Sequence, residues 1–525
     1  MKRLHAVMFS SANLLATAAL VLFTAPPASA QILSPVRIDS GMLDGIPALT
    51  PGVTVFEGIP YAAPPVGNLR WAPPQPVEPW PAVRNADRYG PVCMQYYMEP
   101  IHTANFGDYE FKSEDCLYLN VWTPARSPSD KLPVLVWIHG GGYSAGSGTE
   151  RLHHGDNLAA KGIILVTFNY RLGLFGFLSH PDLTKESEHH ASGDYGLMDM
   201  IAALQWVQRN IAAFGGDPGK VTIFGESAGA GAVSYMQASP LAHGLFRGAI
   251  AESGGEMGYI KIGGTRGLAV AEEAGVKFAQ SMGASSIAEL RAIPAETLLK
   301  ASRGGTFGRI SPMVDGYVIP QDVYTIFAQG KQNDVPVLVG SNANEGRTLR
   351  LPPPKLDTPE DQAEMEKIYP PENRENITSA GMLWAVRTWA QLETKTGTHK
   401  AYEYYFSYAP PFPKDQKFNQ DVSNLGAFHS SEIIYVFNNL AIRKARNWPW
   451  APYDWKLADI MSSYWVNFTK NGDPNGVGLP LWPAISEDNP QVMNFGDTIK
   501  AIPLPRTDEL QFWDKANHVT PSAHY

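Results

Sequence analysis

Val221-Thr-Ile-Phe-Gly225-Glu-Ser227-Ala-Gly229-Ala-Gly231-Ala-Val233 decides the reading of this 525-residue chain. Val221 to Phe224 form a short run, almost all apolar or β-branched, as expected of a strand covered on both faces. Small residues dominate from Ala228 to Gln237 and suit a helix. Between them, Gly225-Glu-Ser-Ala-Gly229 matches G-x-S-x-G. On a sharp strand-to-helix turn this pattern lifts the serine hydroxyl above the sheet, and its small neighbours make the turn sterically possible. The helix that follows also presents its N-terminus, which favours developing negative charge. Ser227 is therefore the candidate nucleophile. A second match, Gly142-Tyr-Ser144-Ala-Gly146, runs into Ser147-Gly-Thr149. That continuation is loop, so Ser144 reads as an ordinary loop serine.

Working outward, four more apolar runs read as buried strands: Val134 to Ile138, Ile163 to Phe168, Gly248 to Ala251 and Pro336 to Val339. Met198 to Phe214 carries Ile201, Leu204, Trp206, Val207 and Ile211 at helical spacing. Alternation of strand and helix predicts an α/β chain with a large, mostly parallel central sheet flanked by helices. The first of these strands leads directly into His139-Gly140-Gly141-Gly142. Consecutive glycines let backbone N–H groups turn inward with no Cβ in the way. The N–H groups of this run, with that of Ala228, are suited to hold a tetrahedral oxyanion.

A serine nucleophile needs a base, and the base a carboxylate to orient it. In this strand–elbow–helix arrangement the chain order is serine, acid, histidine. The loop after Val335 to Val339, Gly340-Ser-Asn-Ala-Asn-Glu345-Gly346, supplies Glu345 as the acid. Asp315 and Asp334 are rivals that look like turn residues. Short of the last few residues, the histidines beyond Ser227 are His243, His399, His429 and His518. His429 follows a strand candidate, Tyr402 to Tyr408, and a long loop. The residues alone leave the choice of base open.

The first thirty residues read as an export signal. Lys2, Arg3 and His5 precede an apolar run, Leu14 to Phe23, and Ala28-Ser-Ala30 offers a small-residue cleavage site. Cleavage after Ala30 leaves 525 − 30 = 495 residues, 31–525, as one domain, and moves the formal charge from −9 to −9 − 2 = −11. With 44% hydrophobic residues the chain can bury a sizeable core, and no linker or repeat divides it. Its acidity disfavours nucleic acid and anionic membranes as partners. The two cysteines, Cys93 and Cys116, are most simply a disulfide in an exported chain. Closing a loop of about 24 residues is worth roughly 3 kcal/mol. His153-His154 and His189-His190 sit in polar stretches and read as solvated, not as metal ligands.

Longer motifs carry a resemblance. Phe56-Glu-Gly-Ile-Pro-Tyr-Ala-Ala-Pro-Pro65, Ser113-Glu-Asp-Cys-Leu-Tyr-Leu-Asn-Val121, Asn169-Tyr-Arg-Leu-Gly173 and Ala213-Phe-Gly-Gly-Asp-Pro218 are four of them. The elbow, Asn344-Glu-Gly346 and Tyr464-Trp-Val-Asn-Phe-Thr-Lys-Asn-Gly-Asp-Pro-Asn475 complete the set. Together they resemble the type-B carboxylesterases, which include acetylcholinesterase, over essentially the whole mature chain. The resemblance implies an α/β-hydrolase fold with long inserted loops around an active-site gorge. It implies a triad of Ser227, Glu345 and His429, with Gly141, Gly142 and Ala228 as the oxyanion hole. It also pairs Cys93 with Cys116, Arg70 with Glu114, and Arg171 with Asp199. Glu226 would add negative field at the site, and Ser253 would stand close by as a second-layer donor. The expected activity is hydrolysis of carboxylic esters through an acyl-enzyme, with no metal or organic cofactor. An adhesion protein on the same fold is disfavoured because all three triad residues are present.

Substrate choice resides in loops and is less legible. Tyr96, Tyr97, Phe106, Tyr109 and Phe111, between the cysteines, offer aromatic surface, but none aligns with a choline-binding role. Arg347 and Arg350 follow the acid by two and five residues. They either face solvent or meet a carboxylate, which would specialise the enzyme for bulky or polycarboxylate esters.

Overall fold

The computed structural model describes residues 32, 34–96, 111–258, 267–303, 311–414, 418, 421–442, 447–486 and 490–518. The expected signal peptide, residues 1–30, lies outside them, as do Tyr97, Phe106 and Tyr109. The described residues from Ile32 onward pack as one compact unit.

Among them, eleven strands form one sheet: β1 Ile46–Pro47, β2 Thr54–Pro60, β3 Tyr118–Thr123, β4 Leu132–Ile138, β5 Ile164–Phe168, β6 Gly216–Glu226, β7 Gly248–Glu252, β8 Val337–Asn342, β9 Ala401–Phe406, β10 Gln491–Phe495 and β11 Ile499–Pro503. Across the sheet they run β11-β10-β9-β8-β7-β6-β4-β5-β3-β2-β1. Pairings from β5 to β10 are parallel, and antiparallel strands close both edges.

The near-continuous apolar runs have a plain cause, because successive side chains enter different cores. Val134, Val136, Ile223 and Val339 join one core with Leu204 of α1 (Tyr195–Asn210), Val233 of α2 (Ala228–Ala238) and Ala385 of α3 (Glu375–Thr396). Leu135, Trp137, Phe224 and Leu338 join another with Met461 and Trp465 of α4 (Pro452–Asn471). A strand covered on both faces has no polar face to alternate with.

Two boundaries differ from the sequence expectation. α1 stops at Asn210, where a 3-10 turn, Ile211–Phe214, takes over and ends on Gly215 at φ 81°. Strand β6 starts at Gly216, before Val221, with an irregular register against β4 between those residues.

The tethers implied by the resemblance are present. Cys93 and Cys116 are disulfide-bonded. Arg70 holds Glu114 through two bonds of 2.6 Å, and Arg171 holds Asp199 through bonds of 2.8 and 2.7 Å. No helix among the described residues is long and apolar enough to cross a membrane.

Candidate active site

β6 ends at Glu226 and α2 begins at Ala228, leaving Ser227 alone on the turn at φ 59° and ψ −122°. A non-glycine residue pays for a positive φ, so the surroundings must impose it. Ser227 N–H donates to the Glu252 carbonyl at the end of β7 (2.8 Å), and its carbonyl accepts from Gly231 N–H (3.0 Å). The flanking residues have no room for a side chain. A Cβ on Gly229 would stand 2.0 Å from the Ile138 carbonyl oxygen, and one on Gly254 would stand 2.3 Å from the Ser227 carbonyl oxygen. The small residues of the pattern are thus a steric requirement of packing the elbow onto β4.

Three loops at the carboxyl ends of the parallel strands converge on this turn. Ser227 Oγ lies 2.9 Å from His429 Nε2, and His429 Nδ1 lies 2.6 Å from Glu345 Oε2. Glu345 follows β8, and its other oxygen accepts from Asn342 N–H at 2.7 Å. The histidine loop is tied to the acid loop through Asn344. Its N–H donates to the Ala427 carbonyl (2.9 Å), and its Oδ1 accepts from Ala427 N–H (3.1 Å). Ser227 is 6% exposed, His429 5% and Glu345 0%, so these contacts are formed largely away from water.

Two further carboxylates surround the imidazole. Glu226 Oε1 lies 3.3 Å from His429 Nε2 and accepts from Ser430 Oγ at 2.6 Å. Glu432 accepts from Ser253 Oγ at 3.1 Å and from the Asn342 side-chain amide. Ser253 therefore reaches the site through Glu432 and makes no bond to the triad itself. Burial pulls the His429 pKa down, but the charges of Glu226 and Glu345 overcome it and raise it to about 9. Burial pushes Glu226 and Glu432 well above the usual carboxylate range. Glu432 and Asn342 were not picked out from the sequence. Glu432 stands in His429-Ser-Ser-Glu432, but only folding reveals that its carboxylate turns back to β7 and β8.

The glycine loop after β4 packs against the elbow, for a Cβ on Gly140 would meet Ser227 Cβ at 3.2 Å. Gly141 and Gly142 take φ 101° and 64°. Among the described residues the N–H groups of Gly141, Gly142 and Ala228 donate to no loop or turn backbone carbonyl. Gln95, 2% exposed, is a third residue of the candidate site missed by sequence reasoning. Its amide pairs with both backbone groups of Gly146: Nε2 donates to the carbonyl and Oε1 accepts from the N–H, each at 2.9 Å. His139, at the head of the same loop, stacks on Tyr170 at 4.3 Å, and the Tyr170 hydroxyl donates to the His139 carbonyl.

The rival residues lie elsewhere. Asp315 accepts from the N–H groups of Tyr317 and Ile319, and Asp334 from Thr398, as turn residues do. His243 pairs with Asn333, His518 with Asp357, and His399 is exposed. Ser144 is exposed, with its hydroxyl on the Gly141 carbonyl. Arg347 donates to the Asn424 carbonyl at 2.8 Å, and Arg350 is exposed. Tyr96 donates to the Leu299 carbonyl, and Phe111 is exposed. The expectation for His153 and His154 is corrected. His153 is not solvated: the 3-10 turn Arg151–His153 presses its ring against Trp137 (4.8 Å) and Phe437 (5.5 Å), and burial drops its pKa to about 3. His154 is part-buried too, 3.0 Å from the Tyr89 hydroxyl through Nε2 and beside Trp122, and burial lowers its pKa. His189 and His190 are exposed, as expected.

Comparisons with known proteins show the family. The profile of the carboxylesterase family matches residues 34–373 and 357–513. Fumonisin B1 esterase of Sphingopyxis macrogoltabida is 36% identical over 503 residues, covering 91% of this chain and 89% of that protein. Para-nitrobenzyl esterase of Bacillus subtilis is 33% identical over 487 residues, covering 88% and 94%. Among solved structures, a PNB esterase superposes with TM-score 0.76 at 32% identity, covering 92% of this chain and 100% of its own. A carboxylesterase of Geobacillus stearothermophilus gives TM-score 0.77 at 32% identity, covering 91% and 99%. With the α/β-hydrolase sheet, the serine elbow and a family match along nearly its whole length, this chain belongs to the carboxylesterase family, hydrolases of carboxylic esters.

Proposed function

We propose that the protein is an exported serine carboxylesterase that works through an acyl-enzyme on Ser227. The observation that carries this reading is the continuous chain of contacts Ser227 Oγ–His429 Nε2 and His429 Nδ1–Glu345 Oε2, at 2.9 and 2.6 Å.

His429 takes the Ser227 proton at Nε2 as Oγ attacks the ester carbonyl carbon. Glu345 fixes the imidazole orientation and stabilises the imidazolium. The N–H groups of Gly141, Gly142 and Ala228 receive the oxyanion, each worth about 3 kcal/mol in the transition state. Collapse of the tetrahedral intermediate expels the alcohol, which leaves with the proton from Nε2. Water then attacks the acyl-enzyme by the same path, releasing acid and free Ser227. Glu226, close to Nε2, favours the imidazolium form when it is ionised. Gln95 holds the glycine loop against the elbow and so positions the oxyanion donors.

Export rests on the basic, apolar and Ala28-Ser-Ala30 segments, and the Cys93–Cys116 disulfide is consistent with an oxidising compartment. N-terminal sequencing of the exported enzyme is expected to begin at Gln31. A fluorophosphonate is expected to add one phosphonyl group to Ser227, located by peptide mass spectrometry. Labelling of another serine, or none in an active preparation, overturns the assignment.

A further inference from the structure

The loop after Glu345 opens into a cleft that the triad does not use. It has a volume of about 460 Å³, and its lining includes Gly346, Arg347, Arg350, Arg374, Asn424 and Leu425. A neighbouring cleft of about 550 Å³ shares Pro353 and Arg374 with it. The floor of the second is apolar: Leu356, Met365, Tyr369 and Ile377 are each at most 5% exposed. Lys355, Asp357 and Glu366 also line the second cleft, so an apolar floor there lies under charged walls, and Arg374 stands where the two clefts of this groove meet.

Three arginines gather here on a chain whose formal charge is −9. Among the described residues none of them makes an ion pair. Arg347 spends one nitrogen on Asn424, at 2.8 Å from the carbonyl and 3.2 Å from Oδ1, which fixes the guanidinium and leaves its remaining donors. Arg350 and Arg374 are exposed. Glu375 and Asp421 also line the cleft, and the Ser423 bonds hold Asp421 ionised, so the wall carries three positive and two negative charges. The positive end of the 22-residue helix α3, which starts at Glu375, adds to the same side.

The groove shares loops with the triad. Gly346 lines it and follows Glu345 directly, and Asn424 and Leu425 lie shortly before His429. Both sites occupy the carboxyl-end rim of the sheet, where ligands of open α/β sheets bind. We propose that this groove is a subsite for a carboxylate-bearing amphipathic ester. Arg350 and Arg374 take a free carboxylate of the substrate in forked hydrogen bonds, and the apolar floor takes an alkyl segment. This rests on the serine-esterase reading and adds a substrate class to it.

The test compares mono(4-nitrophenyl) decanedioate, which carries a free carboxylate, with neutral 4-nitrophenyl decanoate. Arg350→Gln and Arg374→Gln are exposed replacements, with Arg350→Lys as the conservative variant. Each Gln variant is expected to raise KM for the acidic ester at least tenfold, about 1.4 kcal/mol, with kcat and the neutral ester within twofold of the parent. Arg350→Lys is expected to recover part of the loss. Decanedioate itself is expected to inhibit competitively, and more weakly in the double Gln variant. Equal effects on both esters, an unchanged KM for the acidic one, or non-competitive inhibition by decanedioate overturns the subsite. Failure of the parent enzyme to cleave the neutral ester would instead strike at the serine-esterase reading.

Discussion

Gly225–Gly229 and Gly142–Gly146 spell the same five-residue pattern and end in different states. In the first, a strand enters and a helix leaves, and the serine between them takes φ 59° with its hydroxyl on His429. In the second, Ser144 is exposed with its hydroxyl on a carbonyl, and the positive φ belongs to its neighbour Tyr143, at 57°. A pattern of small residues permits a tight approach; the elements on either side decide what approaches. The two segments still meet: Gly140, just before the second, packs against Ser227, and Gln95 from a third region binds both backbone groups of Gly146.

The sharpest way to break this comparison is removal of each hydroxyl. Ser227→Ala is expected to lower kcat by roughly 10⁴-fold or more, with the melting temperature preserved. Losing no activity in a steady-state ester assay would sink the distinction between the two segments. Next in size is the tether between them. Gln95→Leu is expected to lower kcat about 10–100-fold, since a small misplacement of donors is costly. KM should change little, while affinity for a trifluoromethyl ketone, which mimics the oxyanion, should fall with kcat. A fall in stability alone, without the loss of analogue affinity, would reduce Gln95 to a packing role.

A third outcome concerns pH. His429 must lose its proton to act as base, and its pKa is raised from 6.5 to about 9. The step belongs to His429 and Glu226 together. kcat/KM is expected to climb from pH 6 towards about 9. Stability should run the other way. A pKa raised by folding gives stabilisation that is complete below the unfolded value of 6.5 and is lost as pH rises through about 9. Melting temperatures that rise over this interval would contradict the assignment. Smallest of all, Ser144→Ala is expected to leave kcat within twofold.

Much of this was legible in the sequence because it depends on local order. Buried strands reveal themselves as apolar runs, and the elbow reveals itself where such a run meets small residues. Glu345 was legible from its place after a late strand. His429 stood out from three other histidines only by its place after a strand candidate and a long loop, and the longer motifs strengthened that choice, since nothing local distinguishes a histidine that meets a distant serine. Glu432, Asn342 and Gln95 were missed for the same reason: their partners lie far along the chain, and each acts through contacts that folding creates. His153 misled because its polar neighbours hide a ring pressed between Trp137 and Phe437.

The crowding around the elbow has a consequence for laboratory evolution of this enzyme. Gly229 and Gly254 stand so close to backbone carbonyl oxygens that a single methyl group would collide with the main chain at 2.0 and 2.3 Å. Saturation libraries at these positions should return almost only the parent. Altered substrate scope is then to be sought in the surrounding loops, with the elbow left untouched.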